Sequence, residues 1–247
     1  MAENRPHYRH ELKFLINAGD RELLARRLDV LMRRDPHAPE GGYKIRSLYF
    51  DDYWHTAYGE KLMGVTGRKK YRIRFYDDND AVIKLECKSK QDSYIYKRAV
   101  PLSREEVDRI LRGDYAFLLG RKEPLCGEFY VQLTARMLRP RVIIDYERTP
   151  FVMEAGDVRV TFDENVRACS GGEKLFDPRL PMLYLLEPGK LVLEVKFTEL
   201  LPQLVRNILP PQAAEFTAVS KYVLCYEKTG YLNGFEYWYE TQERKMI

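Results

Sequence analysis

The chain has 247 residues, 45% of them apolar and 13% aromatic, too much apolar surface for a disordered chain and enough for one sizeable core. Its net charge of +4 excludes a protein that holds nucleic acid or lipid by bulk charge, so any preference for polyanions has to come from where the cations sit. Four cysteines, Cys87, Cys126, Cys169 and Cys225, lie far apart with no CxxC pair, which argues against a zinc site and for ordinary thiols.

Residues 8–16, "YRHELKFLI", read as a first strand. "GDRELLARRLDVLMRRD" then predicts a helix capped by Asp20, with Leu23, Leu24, Leu28 and Leu31 on its apolar stripe. "YKIRSLYFD" (43–51) and "GRKKYRIRFYDD" (67–78) alternate as strands, and the turn-rich "DDND" predicts a hairpin into "AVIKLECKSKQ" (81–91). "YIYKRAVPL" (94–102) makes a further strand. In "SREEVDRILRG" Ser103 and Glu106 form a capping box, Leu102 and Val107 staple the entry, and Gly113 ends the helix. A helical stretch over 128–138 precedes strands at 140–152, 158–168 and 190–199, the last entered through the "EPG" turn at 187–189. Helices in "ELLPQLVRNIL" and "TAVSKYVLCYEKTG" close the fold, with Gly230 as the stop. Eight or so mostly antiparallel strands with helices grouped outside predict an α+β fold with a barrel-like sheet, a single domain over 1–247. The polar start lacks a signal peptide's apolar run, and no stretch reaches the roughly 18 apolar residues of a membrane span, which predicts a cytoplasmic protein.

Residues 83–90, "IKLECKSK", place Ile83, Leu85 and Cys87 on one face and Lys84, Glu86, Lys88 and Lys90 on the other. The pattern recurs. Arg9, Glu11 and Lys13 share a face, and Lys70, Arg72 and Arg74 oppose Tyr71, Ile73 and Phe75. Arg141, Ile143, Asp145 and Glu147 alternate with Val142, Ile144 and Tyr146, and Arg159, Thr161 and Asp163 oppose Val160 and Phe162. Glu194 and Lys196 oppose Leu193, Val195 and Phe197. A sheet with one face in water would explain any single strand. Across strands, however, "RHELK", "KLECK" and "LEVKF" share an E-x-K core. On a strand this spacing points a carboxylate and an ammonium the same way; the first suits a hard divalent cation and the second phosphate oxygens. Turned inward, such charges need an anion or water to balance them, which predicts a wet channel for a polyphosphate and its metal.

"HELKF", "IRSLYFDD", "RKKYRIRFY", "KLECKSK", "PRVIIDYERTPF", "VRVTFD", "LEVKF" and "VSKY" occur in the order seen in the VTC domain. Over roughly residues 7–228 the chain resembles that family, the polyphosphate polymerase domain of vacuolar transporter chaperones and bacterial relatives, within the triphosphate tunnel metalloenzyme superfamily. The resemblance implies an eight-stranded antiparallel β-barrel tunnel with helices packed outside. It implies a metal-dependent polyphosphate polymerase acting on ATP and inorganic polyphosphate, with Mn²⁺ or Mg²⁺ as cofactor. Carried over motif by motif, it implies catalytic cations at Lys13, Arg72, Arg74 and Lys196, and substrate-binding cations at Lys88, Arg141, Arg159 and Lys221. Lys61 and Lys97 match less closely, because the flanking loops differ in length between relatives. Glu194 is the implied metal ligand, with Glu11 and Glu86 in support. Where the superfamily begins E-x-E-x-K, this chain has Arg9 in the first Glu position. The exchange adds a substrate-binding cation and weakens the case for a two-metal triphosphatase. With no sensing domain expected before the barrel and no membrane helix after it, coupling to transport would fall to a membrane-protein partner.

The remaining motifs are bland. His7, His10, His37 and His55 are scattered, and "GVTGRKK" lacks a Walker A pattern and reads as a hairpin loop. A hydrolase of tripolyphosphate or nucleoside triphosphate, and a non-catalytic polyphosphate-binding module, stay open beside the polymerase. RNA binding is disfavoured, because most aromatic residues fall on the apolar faces and not the charged ones.

Overall fold

Alternation along the chain becomes one antiparallel sheet in a computed structural model, which describes residues 10–36, 38–39, 41–91, 94–209, 215–216 and 220–230. Its long strands are β1 (His10–Asn17), β2 (Tyr43–Asp51), β3 (Arg68–Tyr76), β4 (Asn79–Gln91), β5 (Tyr94–Leu102), β6 (Arg139–Met153), β7 (Val158–Ser170) and β8 (Lys190–Phe197). They lie in the order β1-β8-β7-β6-β2-β3-β4-β5. Two-residue strands add to β6 (Arg33–Arg34), β7 (Leu183–Tyr184) and the outer edge of β1 (Glu215–Phe216). The β3–β4 hairpin turns through Asp77 and Asp78, both at φ 52, the left-handed pair that a tight hairpin requires and that Asp tolerates.

The helices are α1 (Ala18–Leu31), α2 (Thr56–Leu62), α3 (Arg104–Leu111), α4 (Pro124–Ala135), α5 (Gln203–Ile208) and α6 (Lys221–Thr229). Ser103 and Glu106 close the predicted capping box on α3. On α1 the cap is Asn17 and not Asp20: Asn17 accepts from the Asp20 amide at 2.8 Å, and Asp20 returns the bond as the third helical residue. Leu24, Ala25 and Leu28 are buried there, while Leu23 stays 51% exposed. α4 begins four residues earlier than predicted, at Pro124, where a missing N–H leaves nothing unsatisfied. α2 was not predicted. Its first amides are held by Asp51 and Asp52, which reach forward from the end of β2 to Ala57 and Thr56 at 2.9 Å.

Two of three cores lie on the convex face. α3 and α4 bring Val107, Ile110, Leu125, Phe129 and Leu133 against Tyr71, Ile73, Phe75, Ile83, Leu85 and Cys87. α1 and α5 cover Ile16, Val160, Phe162, Leu193 and Val195. The third core sits inside the curve, where Tyr222, Cys225 and Tyr226 of α6 pack on Ile45, Tyr49, Val142, Ile144, Tyr146, Val166 and Ala168.

The predicted barrel is not closed. Among the described residues the ladder runs from β5 to Glu215–Phe216 without joining its edges. Alternation dictates the face a residue takes; it does not dictate whether edge strands meet. The sheet still curls far enough for Lys88 on β4 to donate to Glu11 on β1 at 2.9 Å, which encloses a trough. No helix among the described residues is long and apolar enough to cross a membrane.

Candidate functional site

The trough holds a cavity of about 130 Å³ lined by Glu11 and Lys13 (β1), Lys70, Arg72 and Arg74 (β3), Lys88 (β4), Arg148 (β6), Glu194 and Lys196 (β8) and Lys221 (α6), with Tyr49, Tyr146, Ser220 and Tyr222 between them. Eight cations therefore face two carboxylates. Glu86 and Asp163 lie behind the wall, and with both counted, eight positive charges still meet only four negative ones. Burying such an excess is costly unless an anion or water completes it.

β1 and β8 build one wall by register. Glu11 stands opposite Lys196 and Lys13 opposite Glu194, so the two E-x-K motifs interlock as a charge lattice. The Lys13 ammonium lies 2.7 Å from Glu11 and 3.8 Å from Glu194, and Lys196 pairs with Glu194. Burial alone would raise the Glu11 carboxyl, but Lys88, Lys13 and Lys196 overcome it and hold the group at about 2. Glu194 is held well below the usual carboxylate range: burial opposes ionisation, and Lys196, Arg148 and Lys13 outweigh it. Lys88 and Lys196 show the opposite balance, since burial pulls them down despite their carboxylate partners, whereas Glu11 and Glu194 overcome burial at Lys13 and raise it.

β3 and β4 build the facing wall with arginines. Arg72 donates to Glu86 at 2.7 Å and to the Tyr49 hydroxyl at 2.9 Å. Arg74 donates to Ser47 at 2.9 Å and to Tyr146 at 3.0 Å. Glu86 is 1% exposed, and its oxygens are taken by Arg72 and by Lys97 at 3.1 Å. Glu86 thus anchors the fork of Arg72 and lies outside the cavity lining, whereas Glu194 and Glu11 face it. Arg148 forms a bidentate pair with fully buried Asp163 at 2.6 and 2.8 Å, and Lys221 meets the same carboxylate.

Lys70 differs from these. Its ammonium donates to Ser220 Oγ at 3.1 Å and lies 4.7 Å above the Tyr222 ring. Burial, with Lys88, Lys13, Lys61 and Arg68 around it, pulls the amine down to about 7.

Of the residues singled out from sequence, Glu11, Lys13, Arg72, Arg74, Lys88, Glu194, Lys196 and Lys221 are brought together here. Arg141 is not. On β6 the face predicted to be inward, with Arg141, Asp145 and Glu147, is turned away, because Ile143 belongs to the convex core and Asp145 is clamped by Arg46 at 2.8 Å. Arg141 instead donates to the Asp52 carbonyl at 2.7 Å. Arg159 shares the concave face but is held by Tyr43 at 3.0 Å and Asp35 at 2.8 Å, outside the cavity. Lys61 sits on α2 outside the lining, near enough to Lys13 and Arg68 for their charges to depress its amine after burial has done so. Lys97 is 53% exposed, and Arg9 lies outside the described residues. Tyr49, Lys70, Tyr146, Arg148, Ser220 and Tyr222 were missed as site residues. Arg148 carried a readable signal, being on the same alternating set as Val142, Ile144 and Tyr146.

No group of three or more His, Cys, Asp or Glu side chains gathers among the described residues. Two oxygens nevertheless fit a hard cation. Thr161 Oγ1 is buried with no hydrogen-bond partner among the described residues, and its cross-strand neighbour Glu194 Oε1, which accepts no aligned hydrogen bond among them, is ion-paired with Lys196. A magnesium-like ion commonly takes one or two carboxylates and fills its shell with water and substrate phosphate; Glu194 and Glu11 are the two carboxylates of the lining, and both oxygens of Glu11 are met by Lys13 and Lys88.

The sequence profile of the VTC domain matches residues 8–229. No curated protein matches the chain. Among solved structures, the PH1819 protein of Pyrococcus horikoshii is similar at 13% identity over 90% of this chain and 99% of its own, with a TM-score of 0.47. The PH1012 protein of the same organism gives 11% over 87% and 98%, TM-score 0.45. The mimivirus capping enzyme triphosphatase gives 14% over 78% and 82%, TM-score 0.36. At such identities and scores nothing about activity is carried across.

Proposed function

The chain belongs to the VTC domain family, and from that premise we propose that it is a metal-dependent polyphosphate polymerase, moving the terminal phosphoryl group of ATP onto a polyphosphate chain. The observation that carries the reading is the cation excess facing one walled cavity. A terminal phosphate oxygen of the chain attacks the γ-phosphorus; the new P–O bond forms as the bond to the β-phosphate oxygen breaks, and ADP leaves. The transition state is loose, with charge spread over the equatorial oxygens, so positioning and neutralisation supply most of the catalysis.

Arg72 and Arg74 offer planar forks whose orientation Glu86, Tyr49, Ser47 and Tyr146 fix in advance. Lys13 and Lys196 neutralise the opposite side, and Lys88, Arg148 and Lys221 hold the remaining phosphates. The attacking oxygen is already ionised near neutral pH, so no general base is required. Glu194 and Glu11 would hold a divalent ion, which would supply further charge neutralisation.

The test is incubation of the protein with ATP and Mn²⁺ or Mg²⁺, resolved on a polyphosphate-stained gel beside an orthophosphate assay. Long chains are expected. Orthophosphate without chain growth would replace the polymerase by a hydrolase.

A further inference from the structure

Seven of the eight cations lining the cavity have a carboxylate within 4.0 Å. Lys70 forms no such pair among the described residues; it donates to the Ser220 hydroxyl and lies over the Tyr222 ring. Its cross-strand partner is another cation, Lys88, with Lys13 on β1, Lys61 on α2 and Arg68 on its own strand adding like charge. A half-buried ammonium among cations, with no carboxylate partner among the described residues, favours the neutral amine until an anion arrives.

We propose that Lys70 contacts the phosphate ligand directly and that it takes up one proton from solvent when the anion enters the cavity. The neutral amine gains the proton and becomes the donor that the ligand's oxygens complete. The inference rests on the reading of the cavity as a phosphate site, and it adds a regulation to it: binding weakens as pH rises past neutrality. The amine's low value, about 7, is consistent with that direction.

The probe is inorganic tripolyphosphate, titrated calorimetrically in EDTA at pH 8 in buffers of different ionisation enthalpy. Wild type is expected to take up about one more proton per ligand than Lys70→Met; the difference removes the ligand's own titration from the count. Lys70→Arg, whose guanidinium stays charged, is expected to bind without this uptake and to lose the pH dependence. Lys70→Met is expected to weaken binding about tenfold at pH 6, while raising the melting temperature of the free protein by removing a half-buried cation from among like charges. Equal proton counts in wild type and Lys70→Met overturn the inference and leave the phosphate site standing. A lowered melting temperature with unchanged affinity gives Lys70 a structural role and also overturns it. No binding by wild type overturns the phosphate reading and this inference with it.

Discussion

The concave face of one sheet contains two opposite regions. Toward the interior of α6, Ile45, Val142, Ile144 and Ala168 pack against Tyr222, Cys225 and Tyr226, a sealed apolar contact that needs no ligand. Beyond Tyr146 the same strands and their neighbours turn cations inward, and α6 contributes Lys221 in place of an apolar side chain. The backbone geometry is shared. What differs is whether a helix arrives to cover the face, and so whether folding or a bound anion balances the buried groups. The apolar region should respond to mutation in stability, and the charged region chiefly in binding.

The largest exception to that division should be Arg148→Ala, which leaves buried Asp163 with Lys221 alone. Chemical denaturation should show a loss of about 3–5 kcal/mol; a loss below about 1 kcal/mol would mean the pair is not part of the scaffold. Ile144→Ala, in the apolar region, should cost about 2–5 kcal/mol and leave the affinity of the folded protein for tripolyphosphate unchanged. A large affinity loss there would erase the division between the two regions. Replacing Arg72 and Arg74 by Ala, with Glu86→Gln to avoid stranding that carboxylate, should weaken tripolyphosphate binding about 100-fold and flatten its salt dependence. Unchanged affinity would mean that the arginine wall never meets the ligand. Glu194→Gln should reduce metal-dependent turnover by at least about 100-fold while tripolyphosphate still binds in EDTA; full activity would remove Glu194 from the site.

The same division shows in pH dependence. The Glu11 carboxyl is held at about 2, with Glu194 and Asp163 also depressed. Their folded values lie below the unfolded ones, so their contribution is present above about pH 4 and is lost as pH falls toward 2. Lys70 acts at the other end. Its folded value of about 7 lies below that of an unfolded lysine, so the unfolded chain binds the extra proton between roughly pH 7 and 10, and stability of the free protein rises across that window. Saturating tripolyphosphate should remove the rise. Denaturation midpoints against pH, with and without the anion, check both slopes.

Much of this was legible. The E-x-K spacing put Glu11 with Lys13 and Glu194 with Lys196 on shared faces, and the register then interlocked them. The capping box of Ser103 and Glu106 and the Asp77–Asp78 turn were local signals and formed locally. Arg141 shows where such reading ends. Its charged face was legible, but the side of the sheet to which it turned depended on Arg46 clamping Asp145 and on Ile143 joining the convex core. Likewise α2 depends on Asp51 and Asp52 reaching across a turn to its first amides, a contact that periodicity does not encode.

The sequence by itself determined the strands, their two chemically distinct faces and the carboxylate–ammonium pairs within them, because backbone alternation is local. Only the tertiary structure decided which face turned inward, that the sheet edges stay unpaired among the described residues, and that Lys70 has no carboxylate partner among them. Those outcomes depend on how far the sheet curls, and curvature brings together residues from strands that the sequence keeps far apart.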